Sequence, residues 1–342
     1  MTKYFLPLLT VLIFTSLSFQ SCRQTDKKTT EQSTLSTEQA SELDKLNAAV
    51  EANPEKVTPY LERAVYFAQN EKYNEALADI NSALDINKED PKVYVALSEV
   101  YLYSGKTQRS LDALKKAKEM APEDSDIDVS TAKVYLTMSD YKQTFNALRE
   151  ALKKNPDNAE AFFLSGLANE EMGDTIKAID SYQSAVSKNN KHYDALKQLG
   201  ILFSLRHDAL AIDYLRNAAS LKPNIPDPLY ILGMHYQENG NPDKALSVYQ
   251  EILQIDSTFK LAHYNKGYVY LVYKNEFDNA IEEFNKAITL DPGYIEAYYN
   301  RGYAYELSGD VESARKDYQQ VLRMRVNDEK AVNGLNRLDA SL

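Results

Sequence analysis

IEAYYNRGYAYELSGDVESARKDYQQVLRMRVND, residues 295–328, carries small residues at Gly302 and Ala314, a large one at Tyr318, and Gly309 between the two halves. Small and large side chains at helical spacing on either side of a glycine describe two antiparallel helices joined by a tight turn, with the glycine ending the first helix in a left-handed conformation. The unit just upstream repeats the pattern with Gly267, Ala280, Phe284, Ala287 and Pro292. In steps of about 34 residues, further units start at Val57, Pro91, Ser125, Ala159, Tyr193, Pro226, Lys260 and Ile295, and the last ends at Asp328. A period in this range is the signature of a repeat architecture.

Numbered from those starts, position 8 is Ala64, Ser98, Ala132, Gly166, Gly200, Gly233, Gly267 and Gly302. Position 20, with one deletion in the fifth unit and one insertion in the seventh, is Ala76, Ser110, Thr144, Ala178, Ala211, Ala245, Ala280 and Ala314. Uniformly small residues at both sites predict a close crossing of the two helices, where a larger side chain would push the backbones apart. Position 24 is large throughout, as Ile80, Leu114, Leu148, Tyr182, Leu215, Tyr249, Phe284 and Tyr318, and alternates with a small position 27. Such alternation lets neighbouring layers interlock. Gly105, Gly173, Gly240 and Gly309 mark ends of first helices; Pro122, Pro156, Pro223 and Pro292 mark ends of second helices.

Composition agrees with an extended helical array. Hydrophobic residues are 44% of 342 and charged residues 26%, but there are only 11 Gly and 11 Pro, too few for a turn-rich β protein. The formal charge of -11 opposes binding to phosphate backbones, so a nucleic-acid partner is not expected.

Gly302, Tyr305, Gly309, Ala314 and Tyr318, with Gly267, Tyr270, Ala280, Phe284, Ala287 and Pro292 one unit earlier, resemble the tetratricopeptide repeat. The resemblance spans residues 57–328 as eight repeats. It implies an all-α fold, an α-solenoid of tandem helix-turn-helix repeats forming a right-handed superhelix, used by the family as a protein-binding scaffold. Segments 41–56 and 329–342 match single helices and are expected to cap the ends, which open solenoids require. The third repeat departs from the pattern: Asp128 stands at position 4, normally aromatic, and its helix pair is expected to pack less tightly.

The N-terminal residues read as a targeting segment, with Lys3 ahead of an apolar run from Phe5 to Phe19, then Ser21 and Cys22. The run is shorter than the roughly 20 residues that span a bilayer. Residues 1–21 are assigned to a signal peptide and 22–40, which are polar, to a flexible tether. Phe19-Gln20-Ser21-Cys22 resembles a bacterial lipobox, which implies that Cys22 is acylated and becomes the first residue of the mature chain. Cys22 is the sole cysteine, and acylation would block an otherwise unpaired thiol. The expected location is the bacterial cell envelope, lipid-anchored, periplasmic or surface-exposed, with the outer membrane favoured.

At position 7 the family usually has leucine, but three repeats have Arg63, Lys266 and Arg301. The same three, and no others, have an acid at position 23: Asp79, Glu283 and Asp317. This covariation predicts an ion pair within each of those hairpins.

A partner is expected on the concave face, lined by first-helix positions 2, 5, 6, 9, 12 and 13, one helical stripe from the packing positions. The stripe holds eleven acids (Glu62, Glu99, Asp126, Glu160, Glu170, Glu171, Asp194, Asp227, Glu238, Glu296 and Glu306) against three bases, Lys92, Lys133 and Lys197, which favours neutral or basic extended segments. Towards the C-terminus it becomes aromatic, with Tyr230, Tyr264, Tyr268, Tyr299 and Tyr303, and tyrosine combines apolar area with a polar tip and little entropy to lose. In relatives, asparagine at position 6 often holds a peptide backbone, a role the resemblance assigns to Asn265 and Asn300. The family's clamp for a chaperone's terminal carboxylate is not expected, because Ile201, Ile231 and Leu261 occupy clamp positions.

Catalysis is not expected: there is no glycine-rich phosphate loop, His192, His207, His235 and His263 lack metal-ligand spacing, and Glu170 and Glu171 are adjacent on a helix and diverge. No cofactor or metal is called for. The leading function is a scaffold for other proteins, such as secretion-machinery components or cell-wall enzymes. The alternatives are a self-associating structural lipoprotein and a carrier of a glycan or small molecule.

Overall fold

The computed structural model describes residues 31–340. Cys22 and the signal segment 1–21 lie outside them. The described residues are all-helical, with no strand, and fall into two compact units that divide between Lys88 and Glu89.

The first unit holds α1 (Glu31–Ala52), α2 (Val57–Gln69) and α3 (Tyr73–Ile86). Helix α1 begins at Glu31, so residues 31–40, assigned to the tether on polarity, are helical. Polarity argues against burial, but the Glu, Gln, Leu and Ala of this segment are all good helix formers.

The second unit holds seven hairpins and a terminal helix: α4 (Pro91–Tyr103) with α5 (Thr107–Met120), α6 (Ser125–Thr137) with α7 (Tyr141–Lys154), and α8 (Ala159–Glu171) with α9 (Thr175–Lys188). Then follow α10 (Tyr193–Leu205) with α11 (Leu210–Leu221), α12 (Asp227–Glu238) with α13 (Pro242–Ile255), and α14 (Lys260–Val269) with α15 (Phe277–Leu290). Last come α16 (Ile295–Ser308) with α17 (Val311–Met324), and α18 (Glu329–Ala340). Every hairpin falls on the 34-residue register read from the sequence. The inserted residue of the seventh repeat is absorbed by a π-helical turn, Tyr270–Lys274, that continues α14. A π turn takes up one extra residue without breaking the helix.

Each first helix ends in a left-handed residue. Four of these are the glycines expected there, at φ +70 to +87°; the other four are Glu71, Ser139, His207 and Asn275, at φ 55–61°. The following backbone N–H closes onto the helix in each case, as with Lys72 onto Phe67 O at 2.8 Å and Asp310 onto Tyr305 O at 2.9 Å. Second helices are often capped by a side chain: Asp140, Asp174 and Asp310 accept from the N–H groups of Gln143, Lys177 and Ser313.

The core corrects one expectation about position 8. A Cβ placed on Gly166, Gly233 or Gly267 would meet the ring of Tyr182, Tyr249 or Phe284 at 2.4–2.8 Å, and one on Gly200 would meet Leu215 at 2.5 Å. The small residue makes room for the position-24 side chain, not for the opposing backbone. Tyr182, Tyr249 and Phe284 are fully buried as a result; Tyr318 is fully buried as well, with Gly334 of α18 making the tightest room for its ring. The rule is visible in hindsight: every aromatic residue at position 24 faces glycine, and Ile80, Leu114 and Leu148 face Ala64, Ser98 and Ala132.

The third repeat packs like the others, contrary to expectation, with Ala132 and Thr144 inaccessible and Leu148 at 2% exposure. Asp128 is itself buried and sits between Lys118 of α5 and Lys154 of α7, the latter 2.5 Å away. Two cations compensate for the carboxylate that replaces the usual ring.

Candidate functional site

The predicted ion pairs form. In the first unit, Arg63 Nε and Nη2 donate to Asp79 at 2.8 and 2.7 Å. In the second, Arg301 Nε and Nη2 donate to Asp317 at 2.7 and 2.6 Å, and Lys266 Nζ donates to Glu283 at 3.0 Å. Each cation also reaches an amide on the preceding second helix: Asn47, Asn285 or Gln250. The basic residues therefore tie neighbouring helices together and do not project towards a ligand. Glu283 additionally lies 2.6 Å from His263 Nδ1 and 3.1 Å from Lys286. Burial pushes its carboxyl up, but hydrogen bonds from His263, Lys266 and Lys286 outweigh this and hold it at about 2.

The tyrosine stripe lies on α12, α14 and α16. Tyr230, Tyr264, Tyr268, Tyr299 and Tyr303 are each half-buried, and burial raises the pKa of the first four. The rings are braced from behind: Tyr264 packs on Tyr294 at 4.8 Å and Phe284 at 5.8 Å, Tyr230 on Phe259 at 5.7 Å, and Tyr299 on Tyr318 at 5.8 Å. The asparagines join successive repeats. Asn300 Nδ2 donates to the Tyr264 hydroxyl at 2.8 Å, and Asn265, 8% exposed, lies beside the Tyr230 and Tyr249 hydroxyls. The five tyrosines and two asparagines are thus brought onto one face, with Asn265 forming part of its wall.

Helix α18 adds residues that the sequence reading did not place there. Lys330 Nζ lies 5.7 Å from the Tyr299 ring centroid, and the Arg337 guanidinium lies 5.6 Å from that of Tyr303. Arg337 also donates twice to Glu306, at 2.7 and 2.8 Å. The acids of the stripe divide. Asp126, Glu160, Glu170, Asp194, Glu296 and Glu306 are engaged by Asn158, His192, Tyr182, Lys197, Arg325 and Arg337, respectively. Glu62, Glu99, Glu171, Asp227 and Glu238 carry no ion pair among the described residues. Burial also raises the Glu238 carboxyl pKa. Glu170 accepts from the Tyr182 hydroxyl at 2.7 Å, and Glu171 beside it is exposed.

Two surface concavities lie elsewhere. One of about 530 Å³ is lined by Leu46, Leu61, Val65 and Tyr66, and one of about 740 Å³ by Leu111, Leu114, Tyr135 and Met138; neither includes a tyrosine of the stripe. Among the described residues, no group of three His, Cys, Asp or Glu is placed to hold a metal ion, and no helix is long and apolar enough to cross a membrane.

Residues 79–194 match the family described as the cytochrome c-type biogenesis protein H TPR domain. Residues 226–259 and 295–327 match tetratricopeptide repeat families, and 271–309 a further TPR repeat family. Among solved structures, the C-terminal part of a TPR repeat-containing protein from Cytophaga hutchinsonii is similar at 20% identity and TM-score 0.60, over 70% of this chain and 98% of that one. YrrB, titled a TPR protein with an unusual peptide-binding site, is 25% identical over 54% of this chain and 95% of its own, with TM-score 0.48. The tetratricopeptide-repeat fold of these family models is a scaffold compatible with protein binding and typically non-catalytic. Eight hairpins on one register, small-to-large packing at positions 8 and 24, and the matches of residues 79–194, 226–259, 271–309 and 295–327 to family models lead to one conclusion: the chain belongs to the tetratricopeptide-repeat family.

Proposed function

We propose that this chain is a non-catalytic scaffold at the bacterial cell envelope, anchored by a lipid on Cys22, that holds extended neutral or basic segments of other proteins against the first-helix face of its last three repeats. The observation that carries the reading is the stripe Tyr230, Tyr264, Tyr268, Tyr299 and Tyr303, all half-buried, with Tyr230, Tyr264 and Tyr299 braced by rings behind them. Pre-ordered aromatic side chains lose little entropy on contact and present both apolar area and hydroxyl groups, the chemistry of interface hot spots. Asn300 keeps Tyr264 oriented, and Asn265 lies beside the Tyr230 hydroxyl. Envelope placement is supported by the N-terminal pattern ending in Cys22 and by the likeness of residues 79–194 to a cytochrome c-type biogenesis domain.

The test is crosslinked capture from envelope membranes with the wild type and with Tyr268→Ser plus Tyr303→Ser, two half-buried positions whose change spares the fully buried rings. Specific proteins recovered by the wild type and lost by the variant support the reading. Equal recovery by both would show that the stripe is not the binding face. Labelling with a radioactive fatty acid should mark the wild type and not Cys22→Ser.

A further inference from the structure

The C-terminal end of the chain shows how this fold grips an arginine. In the eighth repeat, Tyr318 is fully buried, stacks obliquely on Tyr299 (5.8 Å, 39°) and donates its hydroxyl proton to Glu306 at 2.5 Å. Arg337, from the next first-helix position in register, completes the arrangement: Nε and Nη2 donate to the two Glu306 oxygens, and Nη2 lies 3.4 Å from the Tyr318 hydroxyl. A buried phenol thus fixes a carboxylate, and the carboxylate takes a guanidinium in two-point geometry.

The fourth repeat contains the same arrangement without the cation. Tyr182 is fully buried, stacks obliquely on Phe163 (5.7 Å, 38°) and donates to Glu170 at 2.7 Å. Gly166 makes room for its ring, whereas the room for Tyr318 is made chiefly by Gly334 of α18. An acid at position 12 with tyrosine at position 24 occurs in these two repeats and in no other. Arg337 stands 31 residues after Glu306; the residue 31 after Glu170 is Ile201, which has no charge to offer. Among the described residues no cation pairs with Glu170. The neighbouring Glu171 is exposed and adds a second negative charge beside the Tyr182 hydroxyl.

From this internal copy we infer that Glu170, held by Tyr182, is a guanidinium-binding site that takes an arginine side chain of a bound protein segment. The identity of that occupant rests on the scaffold reading above; the site itself rests on the duplicated geometry. Arginine is favoured over lysine because the filled copy uses two parallel N–H donors against one carboxylate, which an ammonium cannot supply.

Two experiments on the full-length protein test the site without any partner. In the first, N-acetyl-arginine methylamide is titrated while the Ile201 δ1-methyl resonance is followed, with the citrulline analogue as the uncharged control. The arginine probe should shift the signal at millimolar concentration in the wild type, and the shift should fall at least fivefold with citrulline or in Glu170→Gln. An equal shift with citrulline, or one that persists in Glu170→Gln, overturns the proposal. In the second, Ile201→Arg recreates the Arg337 arrangement within the chain. It should raise the thermal midpoint in the wild type and not in Glu170→Gln, and it should abolish the arginine-probe shift, followed here at a Leu167 methyl. The same midpoint change in both backgrounds overturns the proposal. Since neither readout involves Tyr268 or Tyr303, failure here and failure of the capture experiment are separately visible.

Discussion

Replacing Asp317 with alanine should cost about 3 kcal/mol of local stability. The structure sets that magnitude. Arg301 and Asp317 share two hydrogen bonds of 2.7 and 2.6 Å, and their side chains are 18% and 7% exposed. Breaking a buried pair from one side costs about 3–5 kcal/mol, because the remaining charge has lost its partner and cannot be fully hydrated. Arg301 retains Asn285 and the face of Tyr298 at 5.3 Å, along with some water, which places the loss at the lower end. Arg301→Leu alone should cost a similar amount, since it strands the Asp317 carboxylate. The double variant Arg301→Leu/Asp317→Ala should lie within about 1 kcal/mol of wild type, because it restores the uncharged arrangement that five other hairpins have at these positions. A coupling of about 5 kcal/mol follows. Stacked hairpins open locally, so the assay is native-state hydrogen exchange of amides in α16 and α17, checked against urea midpoints. If the single losses add in the double variant, the two side chains do not act as a pair and the reasoning fails.

Three further outcomes are expected. The Glu283 carboxyl, held at about 2 against an ordinary 4.5, contributes stability that is complete above pH 4.5 and is lost as pH falls from 4.5 towards 2; acid titration of α14 and α15 exchange protection should show a loss of about 3 kcal/mol that Glu283→Gln removes. Gly233→Ala should destabilise by more than 2 kcal/mol by thermal unfolding, since its Cβ would lie 2.4 Å from the buried Tyr249 ring, whereas Gly302→Ala, with nearest contacts of 3.0 and 3.2 Å, should cost less than about 1 kcal/mol. Glu71→Gly, at φ 61°, should stabilise by about 1 kcal/mol in a urea titration, and the same change at exposed positions away from the turns should not.

The register, the eight hairpins, the C-terminal helix, the second half of α1 and the three ion pairs were legible in the sequence, because each depends on a residue type recurring at a fixed spacing; the first turns of α1, read as tether, were not. What escaped depends on pairs that the period hides. The positive-φ residues Glu71, Ser139, His207 and Asn275 occupy the glycine position without being glycine, so composition could not mark them. Lys118 and Lys154 around Asp128 come from two different hairpins, and no single-repeat pattern contains both. The asparagines were legible as position-6 residues but not as partners of Tyr264 and Tyr230, since that contact crosses from one repeat to the next. The cations of α18 over Tyr299 and Tyr303 were missed for the same reason.

In a repeat protein the positions that never vary among repeats can only build the fold, because each copy must pack against the next by the same rule. A site must come from a departure, and a departure that is paid for within its own hairpin is structural. Arg63, Lys266 and Arg301 are answered by acids at position 23 and drop out as ligand contacts. Asp128 is answered by Lys154 of its own hairpin, joined by Lys118 of the preceding one, and drops out as well. Glu306 is answered by Arg337 from the terminal helix, whereas Glu170, built on the same tyrosine in the same register, is answered by no cation of the described chain. The filled copy shows which chemistry satisfies the empty one. By the same criterion the tyrosines of the last three repeats are departures: Tyr230, Tyr264 and Tyr299 are braced by rings behind them, and all five stay partly exposed, which is why the proposed partner is placed on them.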